Sequence, residues 1–434
     1  MDPTALFAVA IGIVLFALVS RRAQAGVISA PMVFTGFGFL VGGAVLGLFE
    51  PPLRGAGIEA LAEITLVLAL FTDAARIDLR RLGREHDVPL RLLGVGLPLC
   101  VIAGTGAAML LFPAMPLWSA ALIGVMLAPT DAALGQAVVT DPRVPHRIRQ
   151  ALNVESGLND GLAFPALLLA ASLAGAGAAR DLGIGGDAGT VGWAAFILGQ
   201  VILGPLVGIA IGLGGAWAIE RANARDWMDA AFLRISTLAL AILAFAGAEA
   251  VGGNGFIAAF AGGLAVGTRG RQVLDAVEDF GETEGQLLTL SVFLLFGAIL
   301  LPDLAGIGWR HLLYAALSLT VLRMVPVGLS LAGTRLRLPT VLFLGWFGPR
   351  GLASIIYLLL VLEGASDVPG IDDVQLTVLV TVLGSVLLHG ATAAPLARLY
   401  GAWAARDDTA PEHRAVSHFP VRLRSLARRA RGGR

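Results

Sequence analysis

Apolar residues occur along this chain in runs of about 20, and short polar segments separate the runs. A run of that length forms a helix that crosses the roughly 30 Å hydrocarbon core of a bilayer. The pattern therefore predicts an all-α polytopic membrane protein with about thirteen transmembrane helices. The predicted spans cover residues 5–20, 27–48, 57–75, 89–112, 117–138, 148–176, 190–219, 228–250, 253–268, 284–301, 309–333, 339–362 and 374–397.

Composition supports the same class. The chain has 434 residues, of which 56% are hydrophobic and 14% are charged, whereas a soluble domain carries roughly 25% charged residues. A transmembrane β-barrel is excluded because its strands need only about 10 residues of alternating polarity. The formal net charge is zero, so no nucleic-acid partner is indicated, and the single cysteine, Cys100, provides no disulfide framework.

Arginine, which replaces lysine throughout, is concentrated in alternate loops, and the positive-inside rule places those loops in the cytoplasm. The prediction is a transmembrane domain over residues 1–403, with the N-terminus outside, and a short Arg-rich cytoplasmic tail, residues 404–434, that is solvated or touches lipid. The cell (inner) membrane of a prokaryote is the expected location, with membrane lipids as neighbours. Three histidines lie at span ends, where contact with interface water is expected: His146, His311 and His389.

Four ionisable side chains fall where lipid is expected. Asp131 lies inside the fifth span, Glu155 and Asp160 lie near the start of the sixth, and Arg350 interrupts the twelfth. A charge at bilayer depth costs at least about 2.5–3.5 kcal/mol on the insertion scale, so such residues are usually functional. The set predicts a path for a cation or a proton.

Proline and glycine interrupt the fifth and twelfth spans beside a polar residue, in Ala128–Asp131 and Gly348–Gly351. The two spans are counterparts in two six-helix halves of opposite topology, joined by the seventh span. Paired interruptions of this kind point to a transporter's binding site near the bilayer midplane. Because proline has no N–H, each break frees backbone carbonyls that can face a cavity.

Spacing on the sixth span predicts a cation site. Ser156 and Asp160 are four residues apart, so they share one helix face. Their oxygens suit a hard alkali cation such as Na⁺, and Thr130, Asp131 and the freed carbonyls could complete the site. Each hydroxyl could instead serve only helix packing.

Other polar residues have supporting roles in this hypothesis. An intramembrane arginine stays charged and needs a partner, and Glu155 is the natural one for Arg350, as a structural ion pair. Asn159 is either a cation ligand or an interhelical hydrogen-bonding group. Arg323, within the eleventh span, either caps carbonyls or pairs with a neighbour, and Glu249 has no assigned partner.

These motifs together resemble the monovalent cation:proton antiporters of the first subfamily, the NhaP-type and NHE-type sodium/proton exchangers. The segments that carry the resemblance are Pro129–Asp131, Glu155–Asp160, Gly253–Phe260 and Phe347–Gly351. The resemblance implies thirteen helices in inverted repeats, a core domain that moves against a dimerising domain, and hence a homodimer. It also implies that Asp160 binds cation and proton in turn and that Glu155 pairs with Arg350.

The expected function is exchange of Na⁺, or of Li⁺ or K⁺, for H⁺ without a cofactor or enzymatic activity. Because Asn159 cannot titrate, Asp160 would carry one proton per cation and exchange would be electroneutral. A K⁺-selective antiporter is an open alternative, and a channel would need no competing proton site. An intramembrane aspartyl protease would need Gly-x-Gly-Asp, whereas residues 157–160 read Gly-Leu-Asn-Asp.

Overall fold

The structure is a computed structural model that describes residues 3–25, 28–43, 45–48, 56–77, 79, 82, 87–131, 133–175, 190–269, 285–300, 306–364, 368–407 and 409–416. Within these ranges helical segments occupy all thirteen predicted spans. In chain order the helices are α1 (Pro3–Ala25), α2 (Ala30–Val41), α3 (Ala56–Ala75), α4 (Asp87–Leu111), α5 (Leu117–Met126), α6 (Gln136–Val139), α7 (His146–Ala174), α8 (Thr190–Asn223), α9 (Ala230–Ala250), α10 (Gly255–Arg269), α11 (Gly285–Ile299), α12 (Trp309–Leu319), α13 (Val321–Ser330), α14 (Leu338–Trp346), α15 (Leu352–Gly364) and α16 (Ile371–Ala404).

Length and composition make this a polytopic membrane protein. Among the described residues, six helical segments are long and apolar enough to cross a membrane: α4, α7, most of α8, α9, α12 together with α13, and α16. Shorter apolar helices, including α2, α5 and α15, complete the bundle. The predicted fold class is confirmed.

Both predicted helix breaks are present, one between α5 and α6 and the other between α14 and α15. A third break, which the sequence did not predict, separates α12 from α13 at Thr320, whose φ is −123° and ψ is −92°. The Thr320 hydroxyl donates a hydrogen bond to the Ala316 carbonyl at 2.6 Å. Such back-bonding competes with the helical ladder and bends helices.

Loops that were predicted to share one face of the membrane do meet. Arg147, at the start of α7, pairs with Asp87, at the start of α4, over 2.7 Å. Arg337, just before α14, pairs with Asp407, just after α16. At the opposite end of the bundle, the starts of α12 and α16 are in contact. These three contacts agree with the predicted alternation of loops, which stays a prediction together with the assignment of the arginine-rich face to the cytoplasm.

Small residues let three helices pack closely beside the site-bearing helix α7. A Cβ atom placed on Gly208 of α8 would lie 2.1 Å from the Ala258 carbonyl oxygen of α10. A Cβ atom on Gly263 of α10 would lie 2.2 Å from the Phe71 carbonyl oxygen of α3. The backbones of α8, α10 and α3 are therefore nearly in contact, as glycine permits between membrane helices.

The chain after α16 folds back onto the arginine-rich face. Glu412 is only 1% exposed and accepts hydrogen bonds from the Arg337 amide at 2.9 Å and the Thr340 hydroxyl at 2.8 Å. The Pro411 carbonyl accepts one from the Arg147 guanidinium at 2.6 Å. The expectation of a solvated tail is wrong for residues 410–413, because the Glu412 carboxylate and the Pro411 carbonyl have partners on α7 and at the start of α14. Residues 417–434 lie outside the described residues.

Replacing Glu412 with alanine is expected to lower the melting temperature of the detergent-solubilised protein. The change removes the buried acceptor of two hydrogen bonds, which costs about 1–3 kcal/mol. Glu412→Gln keeps one acceptor oxygen and should lose less. An unchanged melting temperature in Glu412→Ala would show that the segment is not docked in solution.

The neighbouring pair of Asp407 and Arg337 offers a matched control because Asp407 is exposed to solvent. Hydrogen bonds from Thr409 and then from Arg337 lower the pKa of Asp407 from 3.8 to about 2. A lowered folded-state pKa stabilises the protein above about pH 4, and this contribution is lost as the pH falls toward 2. At pH 7 the pair is intact, and Asp407→Asn should change the melting temperature less than Glu412→Ala does.

Candidate functional site

The two predicted breaks meet directly. The Asp131 amide donates to the Pro349 carbonyl at 2.8 Å, and the Asp131 carboxylate accepts from the amides of Leu352 and Ala133 at 2.8 and 2.7 Å. The first half of the chain thereby caps the N-terminus of α15 in the second half, where amides lack helical partners. A Cβ atom on Gly351 would lie 2.1 Å from the Asp131 carboxylate, so only glycine fits there.

Arg350 holds carbonyls that the first break leaves free. Its side chain is 1% exposed, and Nη1 donates to the Ala128 and Pro129 carbonyls at 3.1 and 3.3 Å. Both carbonyls lie where α5 ends and no later helical amide reaches them. Arg350 therefore joins the two breaks, and its contacts are with backbone oxygens.

Glu155 pairs with Arg323, which corrects the predicted pairing of Glu155 with Arg350. Glu155 Oε1 lies 2.6 Å from Arg323 Nη1, and the two side chains are 2% and 1% exposed. Gly348 makes room for this contact, since a Cβ atom there would lie 2.4 Å from Arg323 Nε. Arg323 thus pairs with a neighbour, one of the two roles considered for it. Arg350 binds backbone carbonyls instead of the predicted glutamate.

Thr130 connects the first break to α7. Its carbonyl accepts a hydrogen bond from the Ser156 hydroxyl at 2.8 Å, and its own hydroxyl accepts one from the Asn159 amide at 2.7 Å. Asn159 thus forms an interhelical hydrogen bond, one of the two roles considered for it. The structure therefore brings four of the predicted cation-site residues, Thr130, Asp131, Ser156 and Asn159, into one region.

Asp160 lies one helical turn beyond Ser156 on the same face of α7, and it is 8% exposed. The Tyr357 hydroxyl of α15 donates to the backbone carbonyl of Asp160 at 2.5 Å, which ties this turn of α7 to the second half of the chain. A second carboxylate, Asp73 of α3, lies beside the same stretch of helix. A Cβ atom on Gly157 would lie 3.8 Å from the Asp73 Cβ atom. Asp73 was not among the residues that the sequence predicted for the site.

A small cavity of about 20 Å³ opens at the contact between the breaks, lined by Thr130, Asp131, Ser156 and aliphatic residues of α6 and α7. A volume above about 10–15 Å³ is enough for one water molecule, and hence for one unsolvated alkali cation. The lining residues run from the first break toward the loop of residues 140–145. The cavity therefore extends toward the arginine-rich face.

Aromatic side chains cover the site in the opposite direction. A Cβ atom on Gly161 would lie 2.1 Å from the Phe260 ring of α10, so this ring fills the space above the helix backbone. The Phe164 ring of α7 lies 4.8 Å from that of Phe256 and 5.7 Å from that of Tyr357. We call the four aromatic residues Phe164, Phe256, Phe260 and Tyr357 the aromatic cap.

Comparison with known proteins agrees with this geometry. The sequence model of the family described as sodium/hydrogen exchanger, transmembrane, matches residues 6–399. The Na(+)/H(+) antiporter 2 of Zygosaccharomyces rouxii is 28% identical over 349 residues, which are 76% of this chain and 42% of that protein. The K(+)/H(+) antiporter NhaP2 of Shewanella oneidensis is 29% identical over 288 residues, 64% of this chain and 46% of that protein. The chain thus spans less than half the length of these two relatives.

The fold also matches a solved structure. The sodium proton antiporter MjNhaP1 from Methanocaldococcus jannaschii, determined at pH 8, aligns with a TM-score of 0.72. The alignment covers 92% of this chain and 98% of that chain at 20% sequence identity. At that level of identity the match is evidence for the shared helical architecture alone.

Proposed function

The chain belongs to the transmembrane sodium/hydrogen exchanger family, and on that premise we propose that it exchanges a monovalent cation for protons across a membrane. One observation carries the proposal. The buried Asp160 carboxylate lies one helical turn from a cavity of about 20 Å³ at the contact between two broken helices. Carboxylates at bilayer depth mark ion and proton pathways.

The proposed mechanism is competition for one carboxylate. Protonated Asp160 is neutral and cannot hold a cation, whereas ionised Asp160 attracts one. Ser156 and the Thr130 carbonyl would supply further hard oxygens. Asp131, which also lines the cavity, would add another. Exposing this site alternately to the two faces gives coupled exchange without ATP or a cofactor.

The surroundings of the site support a state of that cycle in which the site is accessible from the arginine-rich face. The cavity extends toward the arginine-rich face, and the aromatic cap closes the other direction. A cation would therefore enter and leave through the face predicted to be cytoplasmic. For the outward-open state, the cap residues of α10 and α15 would have to separate from Phe164 of α7. A homodimer in the inner membrane of a prokaryote stays a prediction.

Potassium selectivity is the second candidate function, because the Shewanella relative is named a K(+)/H(+) antiporter. An aspartyl protease is disfavoured because the Asp131 carboxylate accepts two backbone amides and caps α15, which is a structural role. Both cations bind oxygen ligands, so the ligand type alone does not set selectivity between Na⁺ and K⁺.

Reconstituted proteoliposomes test the proposal. An outward cation gradient should drive proton uptake, and the reverse gradient should drive proton release, with Na⁺, Li⁺ and K⁺ compared at equal concentrations. A channel would pass the cation without an opposed proton flux. Cation-independent proton movement, or none at all in well-folded protein, would contradict exchange.

Exchange is expected to be electroneutral. Asn159 cannot take up a proton, and Arg323 and Arg350 stay charged through the cycle, so one cation would exchange for one proton. In liposomes clamped with K⁺ and valinomycin, Na⁺/H⁺ exchange at zero and at roughly −100 mV should run at equal rates. That potential is worth about 2.3 kcal/mol per net charge moved. A clear dependence on potential would require a second proton-carrying group, with Asp131 and Asp73 as the first suspects.

A further inference from the structure

His389 of α16 is buried beside the second helix break, not at an interface with water as the sequence suggested. The residue is 1% exposed. Its Nε2 lies 2.9 Å from the Trp346 carbonyl oxygen, and its Nδ1 lies 3.1 Å from the Ser385 hydroxyl. The Ser385 hydroxyl also accepts a hydrogen bond from the Arg350 amide at 2.6 Å.

These contacts define where the hydrogens lie. A carbonyl oxygen only accepts, so Nε2 carries the imidazole hydrogen. Ser385 accepts from the Arg350 amide, and its own hydrogen has His389 Nδ1 as acceptor. Within the described residues no ion pair or hydrogen bond joins a carboxylate to the ring, whose two nitrogens contact a carbonyl and a hydroxyl. The contacts therefore fit a neutral imidazole.

The same contacts bridge the break. Trp346 is the last residue of α14, and Arg350 lies two residues before α15. His389 supplies a donor to the carbonyl at the end of α14, and Ser385 supplies an acceptor to the Arg350 amide. These are the backbone groups that helix termini leave without partners.

A hydrogen-bonded route leads from this bridge to the proposed cation site. The Arg350 side chain holds the Ala128 and Pro129 carbonyls. The next residue, Thr130, presents its carbonyl to Ser156. A shift of the second break would therefore move the first break and the oxygens that face the cavity.

We propose that His389 and Ser385 are positioning residues for cation binding, and that His389 does so as a neutral group that takes no part in proton transfer. The inference rests on the proposed exchange function. It adds α16 to the helices that hold the cation site in position. The rival assignment for a buried histidine in a proton-coupled transporter is a proton carrier or pH sensor.

The test compares His389→Ala, His389→Gln and Ser385→Ala in proteoliposomes. We measure the apparent KM for Na⁺ and the pH profile of exchange, and check folding by melting temperature. His389→Ala should raise the KM about 10-fold, as loss of an outer-shell support does at metal sites. Ser385→Ala should also raise the KM. His389→Gln retains a donor for the Trp346 carbonyl and should recover most of the affinity. The midpoint of the pH profile should not change in any variant.

Thr381→Ala is the matched control. Thr381 is a buried residue one turn before Ser385. Among the described residues its hydroxyl bonds only to the Thr377 carbonyl of its own helix, at 2.7 Å. This variant should keep the wild-type KM.

Two results would overturn the positioning role. In the first, His389→Gln and Ser385→Ala both keep the wild-type KM, and His389→Gln shifts the midpoint of the pH profile. That combination would identify His389 as a pH sensor. The other is a wild-type KM in every folded variant. Absence of exchange in the wild-type protein would overturn the proposed function itself and this inference with it.

Discussion

Replacing Asp160 with asparagine is expected to abolish exchange while leaving the protein folded. Asparagine keeps the shape of the side chain, and the hydrogen bond from Tyr357 goes to the backbone carbonyl, which the substitution does not alter. The amide cannot ionise, so it neither holds a cation by charge nor carries a proton. Cation-driven proton flux in proteoliposomes should fall to the level of protein-free liposomes.

The same chemical change at Asp229 provides the control. Asp229 caps the start of α9 by accepting from the Ala231 amide at 2.8 Å, and asparagine caps helices as well as aspartate does. Asp229→Asn should exchange like the wild-type protein. Full activity in a well-folded Asp160→Asn protein would refute the competition mechanism.

Breaking the ion pair of Glu155 and Arg323 is expected to give the largest loss of stability. Both side chains are almost fully buried, at 2% and 1% exposed. Removing one member leaves the other charge without its partner, which costs about 3–5 kcal/mol. Glu155→Gln and Arg323→Gln should each lower the melting temperature sharply, and the double variant should recover part of the loss.

A second double-mutant cycle distinguishes the two arginines. Glu155→Gln combined with Arg350→Gln should show a smaller coupling free energy, since Arg350 bonds to carbonyls. The pairing seen in the structure is refuted if Glu155 couples more strongly to Arg350 than to Arg323.

Sequence reasoning located the breaks but assigned the wrong arginine, Arg350, as the partner of Glu155. Proline beside a polar residue identified both interruptions, and the symmetry of the halves predicted that they correspond. Glu155 pairs with whichever arginine side chain can pass the end of α14 and reach α7. That outcome follows from the missing side chain of Gly348 and from the break at Thr320. Neither of these two features produces a hydropathy signal in the sequence.

Other assignments depended on contacts between distant segments. The Glu249 carboxylate accepts a hydrogen bond from the Gly255 amide at 2.7 Å and thereby caps the start of α10. His389 is near the end of an apolar run in the sequence, yet α16 continues to Ala404 and buries it. The span boundary drawn from hydropathy, at residue 397, thus fell about two turns short of the helix end. The docked segment after α16 was missed because its composition is that of a solvated tail.

The contact between the breaks also bears on how the protein is made. Asp131 and the amide that it caps are 221 positions apart. At a synthesis rate of about 5–20 residues per second, the ribosome supplies the second partner roughly 10–45 s after the first. Until then the Asp131 carboxylate and the carbonyls that Arg350 will bind have no access to those partners. The ion-binding centre is therefore completed late in biogenesis, and the first six-helix half, expressed by itself, would enter the membrane with its central crossing unfinished.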